Sequence, residues 1–259
     1  YDVLKQQNFR LDQFPHSFIF IYSVECSARL QIDLTDMTVS KGNGLIIRPA
    51  QIYRCLSISD DAVAFGVALG ENCLLPEMKK CLQTLALDSS PFPVEEERRT
   101  EIKTLFRLIT GRNISVGHPC EGVMAMYARS FAALLIESMK MRAAQFSHER
   151  IAGLPLLTRL EALFDSDLHI SRLPSHYAHL LDLTPTYLNK RLHATVGLNI
   201  SLFIRRESIV RAARMLAMTD MSVSEIAHCS GYDDPAYFTR LFNKIAGMTP
   251  RAFRTSCHR

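Results

Sequence analysis

Between Pro185 and Gly197, and again between Pro235 and Gly247, the 259-residue chain repeats itself, and no other feature constrains its fold as strongly. A shift of 50 pairs Pro185 with Pro235, Tyr187 with Tyr237, Leu188 with Phe238, Lys190 with Arg240, Leu192 with Phe242 and Gly197 with Gly247. Ala178 and Ala227 match at a shift of 49. Each copy reads as a short helix, a turn and a second helix, so two helix-turn-helix units in tandem follow. In the second copy Ile226 and Ala227 sit on an inner face and the small Ala lets the next helix come close. Gly231 supplies a turn that a Cβ would strain. Asp233 or Asp234 caps the next helix, Pro235 starts it where an amide would be unpaired, and Gly247 ends it. In the first copy Thr184 is the cap and Asp182-Leu183 stands where the second has Gly231.

Both second helices carry polar or small residues on the outward side: Thr186, Asn189 and Lys190 in one, Pro235, Ala236, Thr239 and Arg240 in the other. A helix of this kind can enter a major groove, where Asn reads adenine, Arg or Lys reads guanine, and Thr meets the thymine methyl. Between them, residues 200–217 fit a linking helix of roughly 27 Å at 1.5 Å per residue, close to one DNA turn once the flanking helices are added. Arg205, Arg206, Arg211 and Arg214 on that helix, and Arg251 beyond the second unit, are candidates for phosphate contact; an ordinary solvated face is the alternative.

The charge balance agrees. Residues 1–147 hold 16 Lys and Arg against 16 Asp and Glu, whereas 148–259 hold 14 against 10, so the whole net charge of +4 lies in the C-terminal part. Seven cysteines, an odd number with no CxxC pair, argue against a disulfide framework or zinc site and fit a reducing cytoplasm. No apolar run is long enough to cross a bilayer, so no membrane partner is expected.

The segment "SVSEIAHCSGYDDPAYFTRLFNKIAGMTPRAFR", from Ser222 to Arg254, together with the looser unit at 173–197, resembles the DNA-binding domain of the arabinose-regulator (AraC/XylS) family of bacterial transcription factors. The resemblance implies that Thr186, Asn189, Lys190, Pro235, Ala236, Thr239 and Arg240 contact bases of a double-stranded operator. It also implies an activator, with RNA polymerase as a further partner. One departure is Ser208, where the family usually has an Arg; Leu192 replaces a usual Phe.

The expected fold is α+β: a cupin-like β-sandwich or barrel over 1–73 with dimerisation helices over 74–147, then an all-α double helix-turn-helix domain over 148–259. The strand texture rests on runs such as "SFIFIYSVE", "ARLQIDL", "GLIIR", "IYRCLSIS" and "AVAFGVALG". Charge and Gly153/Pro155 punctuation around "SHERIAGLP" suggest an interdomain linker. Ile102, Leu105, Phe106 and Ile109 share one helix face. Met124, Ala128, Phe131 and Leu135 form a seam that suits either a homodimer contact or packing on the helix's own β-domain. Phe20, Tyr22, Arg48, Tyr53 and Arg54 are candidates for an effector pocket that would take a sugar, a carboxylate or another anion. His16 is the lone histidine among the strands and His118 falls later, so the metal set of a cupin enzyme is lacking and no cofactor is expected. Neither GxSxG, HExxH nor a glycine-rich phosphate loop occurs, which argues against an enzyme. Two further readings are a ligand-independent dimeric regulator and a thiol-based redox sensor using Cys229.

Overall fold

A computed structural model describes residues 16–85, 90–110, 122–166 and 170–257, and divides the chain into two compact units, Tyr1–Phe146 and Ser147–Arg259. His118 lies outside the described residues.

In the first unit the β-branched runs form strands β1 (Ser17–Glu25), β2 (Ala28–Ile32), β3 (Thr35–Val39), β4 (Asn43–Ile47), β5 (Tyr53–Ile58), β6 (Val63–Gly70) and the short β7 (Phe92–Pro93). They make two antiparallel sheets, ordered β6-β1-β4-β7 and β3-β2-β5. The barrel expectation is corrected here: no ladder joins the two sheets among the described residues, so they form open layers. The run read as "ARLQIDL" also stops early. Asp33 and Leu34 both take positive φ, 45° and 65°, and turn the chain straight into β3 with Ile32 paired to Thr35. Two successive positive-φ residues suit the right-handed twist of a tight hairpin. Asp33 is anchored there, its carboxylate accepting from Gln51 Nε2 at 2.7 Å and from the Ile52 amide at 3.2 Å.

Alternation along β1 divides the unit's apolar residues between two layers. Ile19 and Ile21 join Ile32, Val39, Leu45 and Ile47 between the sheets. Phe20 and Tyr22 face the other way, into a core with Ile46, Val67 and Leu69 and the helices α1 (Pro76–Leu85), α2 (Glu96–Thr110) and α3 (Val123–Ala143). Along α2 the expected face is buried at Ile102, Phe106 and Ile109, and Phe106 stacks on Phe65 at 3.7 Å between ring centroids. On α3, Ala128, Phe131 and Leu135 are fully buried in this same core. Their seam packs on its own β-sheet, which removes these three side chains as dimer contacts; Met124 is half-buried.

The second unit is helical: α4 (His148–Ser166), α5 (Pro174–Leu180), α6 (Pro185–Val196), α7 (Ile200–Met218), α8 (Val223–Cys229), α9 (Pro235–Ala246) and α10 (Pro250–Cys257). The stretch read as a linker is the first half of α4, with Pro155 inside the helix. Gly153 is there for close packing, since a Cβ would stand 1.8 Å from Thr195 Oγ1 on α6. Phe164 stacks on Tyr177 at 4.6 Å and meets Phe203 edge-on, which ties α4, α5 and α7 together. The matching cluster Phe238, Phe242 and Phe253 ties α9 to α10. No described helix is long and apolar enough to cross a membrane.

Candidate nucleic-acid interface

The two helix-turn-helix units agree bond for bond. In the first turn, the Asp182 amide donates to His179 O (3.1 Å) and the Leu183 amide to Ala178 O (2.8 Å). In the second, the Gly231 amide donates to His228 O and the Tyr232 amide to Ala227 O, both at 2.9 Å. Asp182 and Gly231 occupy the left-handed corner at φ 57° and 81°. Asp tolerates that conformation better than most side chains, which is how the first copy manages without a glycine. At Gly231 a further constraint acts, because a Cβ would meet the Ile170 carbonyl oxygen at 2.3 Å.

Each second helix then opens on a cap. Thr184 Oγ1 accepts from the Tyr187 amide at 3.2 Å, and Asp234 Oδ1 from the Ala236 amide at 2.8 Å, with Pro185 and Pro235 following. Both end on left-handed glycines, Gly197 (φ 74°) and Gly247 (φ 73°). Correspondence continues past them: Asn199 caps α7 through the Leu202 amide and Thr249 caps α10 through the Ala252 amide. The start of α7 is therefore the counterpart of α10, a helix the sequence reading left out. A capping box opens α8, where Ser222 and Glu225 exchange hydrogen bonds, and the bonds from Ser222 hold the Glu225 carboxyl below its ordinary range.

Leu188 and Leu192 on α6, and Phe238, Leu241 and Phe242 on α9, are buried, which turns the other face of each helix to solvent. Thr186, Lys190, Pro235, Ala236 and Arg240 are exposed there and Thr239 is half-buried. Asn189 is different. Its Oδ1 accepts from the Ile200 amide at 2.9 Å and holds the first turn of α7. A bidentate adenine contact uses that same oxygen as acceptor, so the base contact expected of Asn189 would share the oxygen with a brace between α6 and α7. Its counterpart in the second copy is Thr239, opposite Pro250, which has no amide to bind; Thr239 Oγ1 donates instead to Pro235 O at 2.8 Å.

Arg205, Arg206 and Arg251 are exposed. Arg211 is a structural brace, donating to the Phe164 carbonyl, and Arg254 similarly reaches the Leu216 and Met221 carbonyls. Ser208 is fully buried; it donates to Arg205 O at 2.9 Å and meets the Tyr232 hydroxyl at 2.8 Å. Cys229 is half-buried and its carbonyl accepts from the Ile170 amide.

Two features escaped the sequence reading. Tyr187 and Tyr237, at equivalent places on α6 and α9, are 48% and 38% exposed, although the repeat had marked the pair. Arg172 lies over the rings of Tyr232 and Tyr237, at 4.9 and 5.7 Å, and no sequence pattern singles it out. The proposed effector residues are not gathered. Phe20 and Tyr22 are sealed in the helix-facing core, Tyr53 packs on the layer between the sheets, and Arg54 donates to Gln31 on the neighbouring strand. Arg48 is half-buried just beyond β4. Among the described residues no group of three His, Cys, Asp or Glu side chains is placed to hold a metal ion.

Tandem helix-turn-helix units sharing a central helix define the class of the C-terminal unit. Residues 177–256 match the family model described as a helix-turn-helix domain. The arabinose operon regulatory protein of Salmonella typhimurium is 26% identical over 182 residues, covering 67% of this chain and 60% of that protein. The virulence regulon transcriptional activator VirF of Shigella flexneri is 22% identical over 245 residues, covering 92% and 91%. These matches bear out the resemblance to the AraC/XylS family. It spans only 60% and 46% of the Salmonella and Escherichia coli arabinose regulators. Over 93% of its length it shares the fold of ToxT from Vibrio cholerae, with a TM-score of 0.54, 14% identity and 91% of that chain covered.

Proposed function

We propose that the chain is a sequence-specific DNA-binding regulator of transcription and that α6 and α9 are its reading helices. One observation carries this: two turns with the same hydrogen bonds present two capped helices on which Thr186, Lys190, Pro235, Ala236 and Arg240 are exposed. Thr186 and Lys190 read from α6. Thr239 and Arg240 are the polar readers of α9, while Pro235 and Ala236 offer only apolar contact, of the kind a thymine methyl takes. Arg205, Arg206 and Arg251 serve the phosphate backbone. The names of its relatives, operon regulators and a transcriptional activator, support activation; RNA polymerase as a further partner and a cytoplasmic location belong to the same proposal.

Selection of bound duplexes from a random pool tests the reading. Two short motifs should be enriched, with centres about one helical turn apart. Enrichment of nothing above the starting pool would refute it.

For the N-terminal unit, the filling of both apolar layers by its own side chains favours a homodimerisation role over a sensing one. The outward groove between α2 and α3, lined by Leu105, Ala133 and Leu134, is the surface proposed for it. Leu134→Glu should then shift the sedimenting species toward monomer. If thermal shift against a metabolite panel finds a stabilising small molecule, sensing returns as the primary role of this unit.

A further inference from the structure

A notch in the C-terminal unit encloses about 70 Å³ between Arg172, Ser201, Ile204, Arg205, Ser208 and Tyr232. Its walls come from three stretches far apart in sequence: the lead-in to α5, the first half of α7, and the turn of the second helix-turn-helix unit. Ser208 helps keep it open. Its short side chain lines the notch, where a longer one would project into the space.

The lining chemistry has one sign. Two arginines, two serines and a tyrosine line the notch beside Ile204, and no carboxylate does. Among the described residues neither Arg172 nor Arg205 has an ion-pair partner. Arg172 is held in place by the Tyr232 and Tyr237 rings, and stacking of this kind leaves the N–H edge of the guanidinium to meet an acceptor. Ser201 is exposed in the first turn of the 19-residue helix α7, where aligned peptide dipoles favour an anion.

Its position is equally informative. The residue next to Ser201, Ile200, is bonded to Asn189 of α6, while Arg172 touches Tyr237 of α9. The notch is therefore linked to both reading helices, to α6 beside Ser201 and to α9 through Arg172.

We propose that this notch seats one phosphodiester of a duplex spanning both units, with Arg172 and Arg205 as charge partners and the Ser201 hydroxyl as a donor. The proposal rests on the DNA-binding reading above. A free inorganic oxyanion has the same chemistry, and the experiment separates the two sources.

Full-length wild type, Arg172→Gln and Arg205→Gln are titrated by fluorescence anisotropy against a selected duplex and a random one, between about 50 and 200 mM salt. Both variants should weaken both duplexes alike, with a salt slope shallower by roughly one. The deficit seen at the low salt should accordingly shrink about 3- to 4-fold at the high salt. Replacing single phosphates of the selected duplex by neutral methylphosphonate should reveal one position that costs wild type affinity and costs the variants nothing more. Melting temperatures of both variants are recorded, so if one fails to fold the other still reports.

Unchanged slopes in folded variants overturn the proposal, as does a loss confined to the selected duplex. A melting temperature that rises with inorganic phosphate in wild type but not in Arg172→Gln, together with unchanged DNA slopes, assigns the notch to a free anion instead. A wild type that enriches no DNA refutes the regulator reading itself; a wild type that binds while both variants keep its slope refutes only the notch.

Discussion

The hydroxyls of Ser208 and Tyr232 meet at 2.8 Å in the interior of the C-terminal unit, linking the middle of α7 to the second turn. Because Ser208 donates to the Arg205 carbonyl, the phenol is left as donor to Ser208. Tyr232→Phe should therefore cost only about 1 kcal/mol in urea unfolding, since Ser208 keeps a partner. Burial, offset in part by the hydrogen bond with Ser208 and by the Arg172 charge, pushes the Tyr232 phenol above its ordinary 10.0. The folded chain thus keeps a proton that the unfolded chain releases. Its contribution is complete below about pH 10 and is lost as the pH climbs through the folded value. Burial raises Tyr22 too, so the measurement is the difference between wild type and Tyr232→Phe, which should narrow above pH 10.

For Asn189→Ala, loss of the bond to the Ile200 amide should cost about 1 kcal/mol of stability. Selected duplexes should bind more weakly while base preference is retained at every position. Relaxed preference at one base pair would make Asn189 a reader after all.

The two turn corners should respond oppositely to exchange. Asp182→Gly removes a side chain from the left-handed region and should leave stability unchanged or raise it by some tenths of a kcal/mol. Gly231→Ala brings a Cβ against the Ile170 carbonyl and should cost more than the roughly 1 to 2 kcal/mol of left-handed strain alone. Equal effects in thermal unfolding would show that the Ile170 contact is without consequence.

Arg240→Ala should weaken binding to the selected duplex by about 1 to 3 kcal/mol and relax preference at one position. Equal weakening on selected and random duplexes would place Arg240 on the backbone instead.

Much of the C-terminal unit was legible because its signals are local. Prolines, caps and glycines mark where α6 and α9 begin and end, and the apolar period marks their inner faces. What escaped depends on contacts distant in sequence. Gly153 reads as linker punctuation until Thr195 is seen beneath it, and Asn189 reads as exposed until the Ile200 amide is found beside it. Arg172 has no periodicity at all; two tyrosine rings some 60 residues away define its place. In the N-terminal unit strict alternation along β1 showed that Phe20 and Tyr22 share a face, and nothing in that alternation says whether the face meets helices or a cavity. The polar strand β3 was missed because its partner β2 and the Asp33-Leu34 corner, not its own side chains, bring it into the sheet.

Helix α7 completes the first helix-turn-helix unit with its opening turn and contacts the second with its middle. Inserting one residue there would not merely lengthen a spacer; at 3.6 residues per turn it would swing one reading helix by about 100° relative to the other. The distance and the angular phase between the two half-sites are thus set by a single rigid ruler. On the proposed reading, a duplex for this protein should tolerate a change of base sequence more readily than a change of spacing.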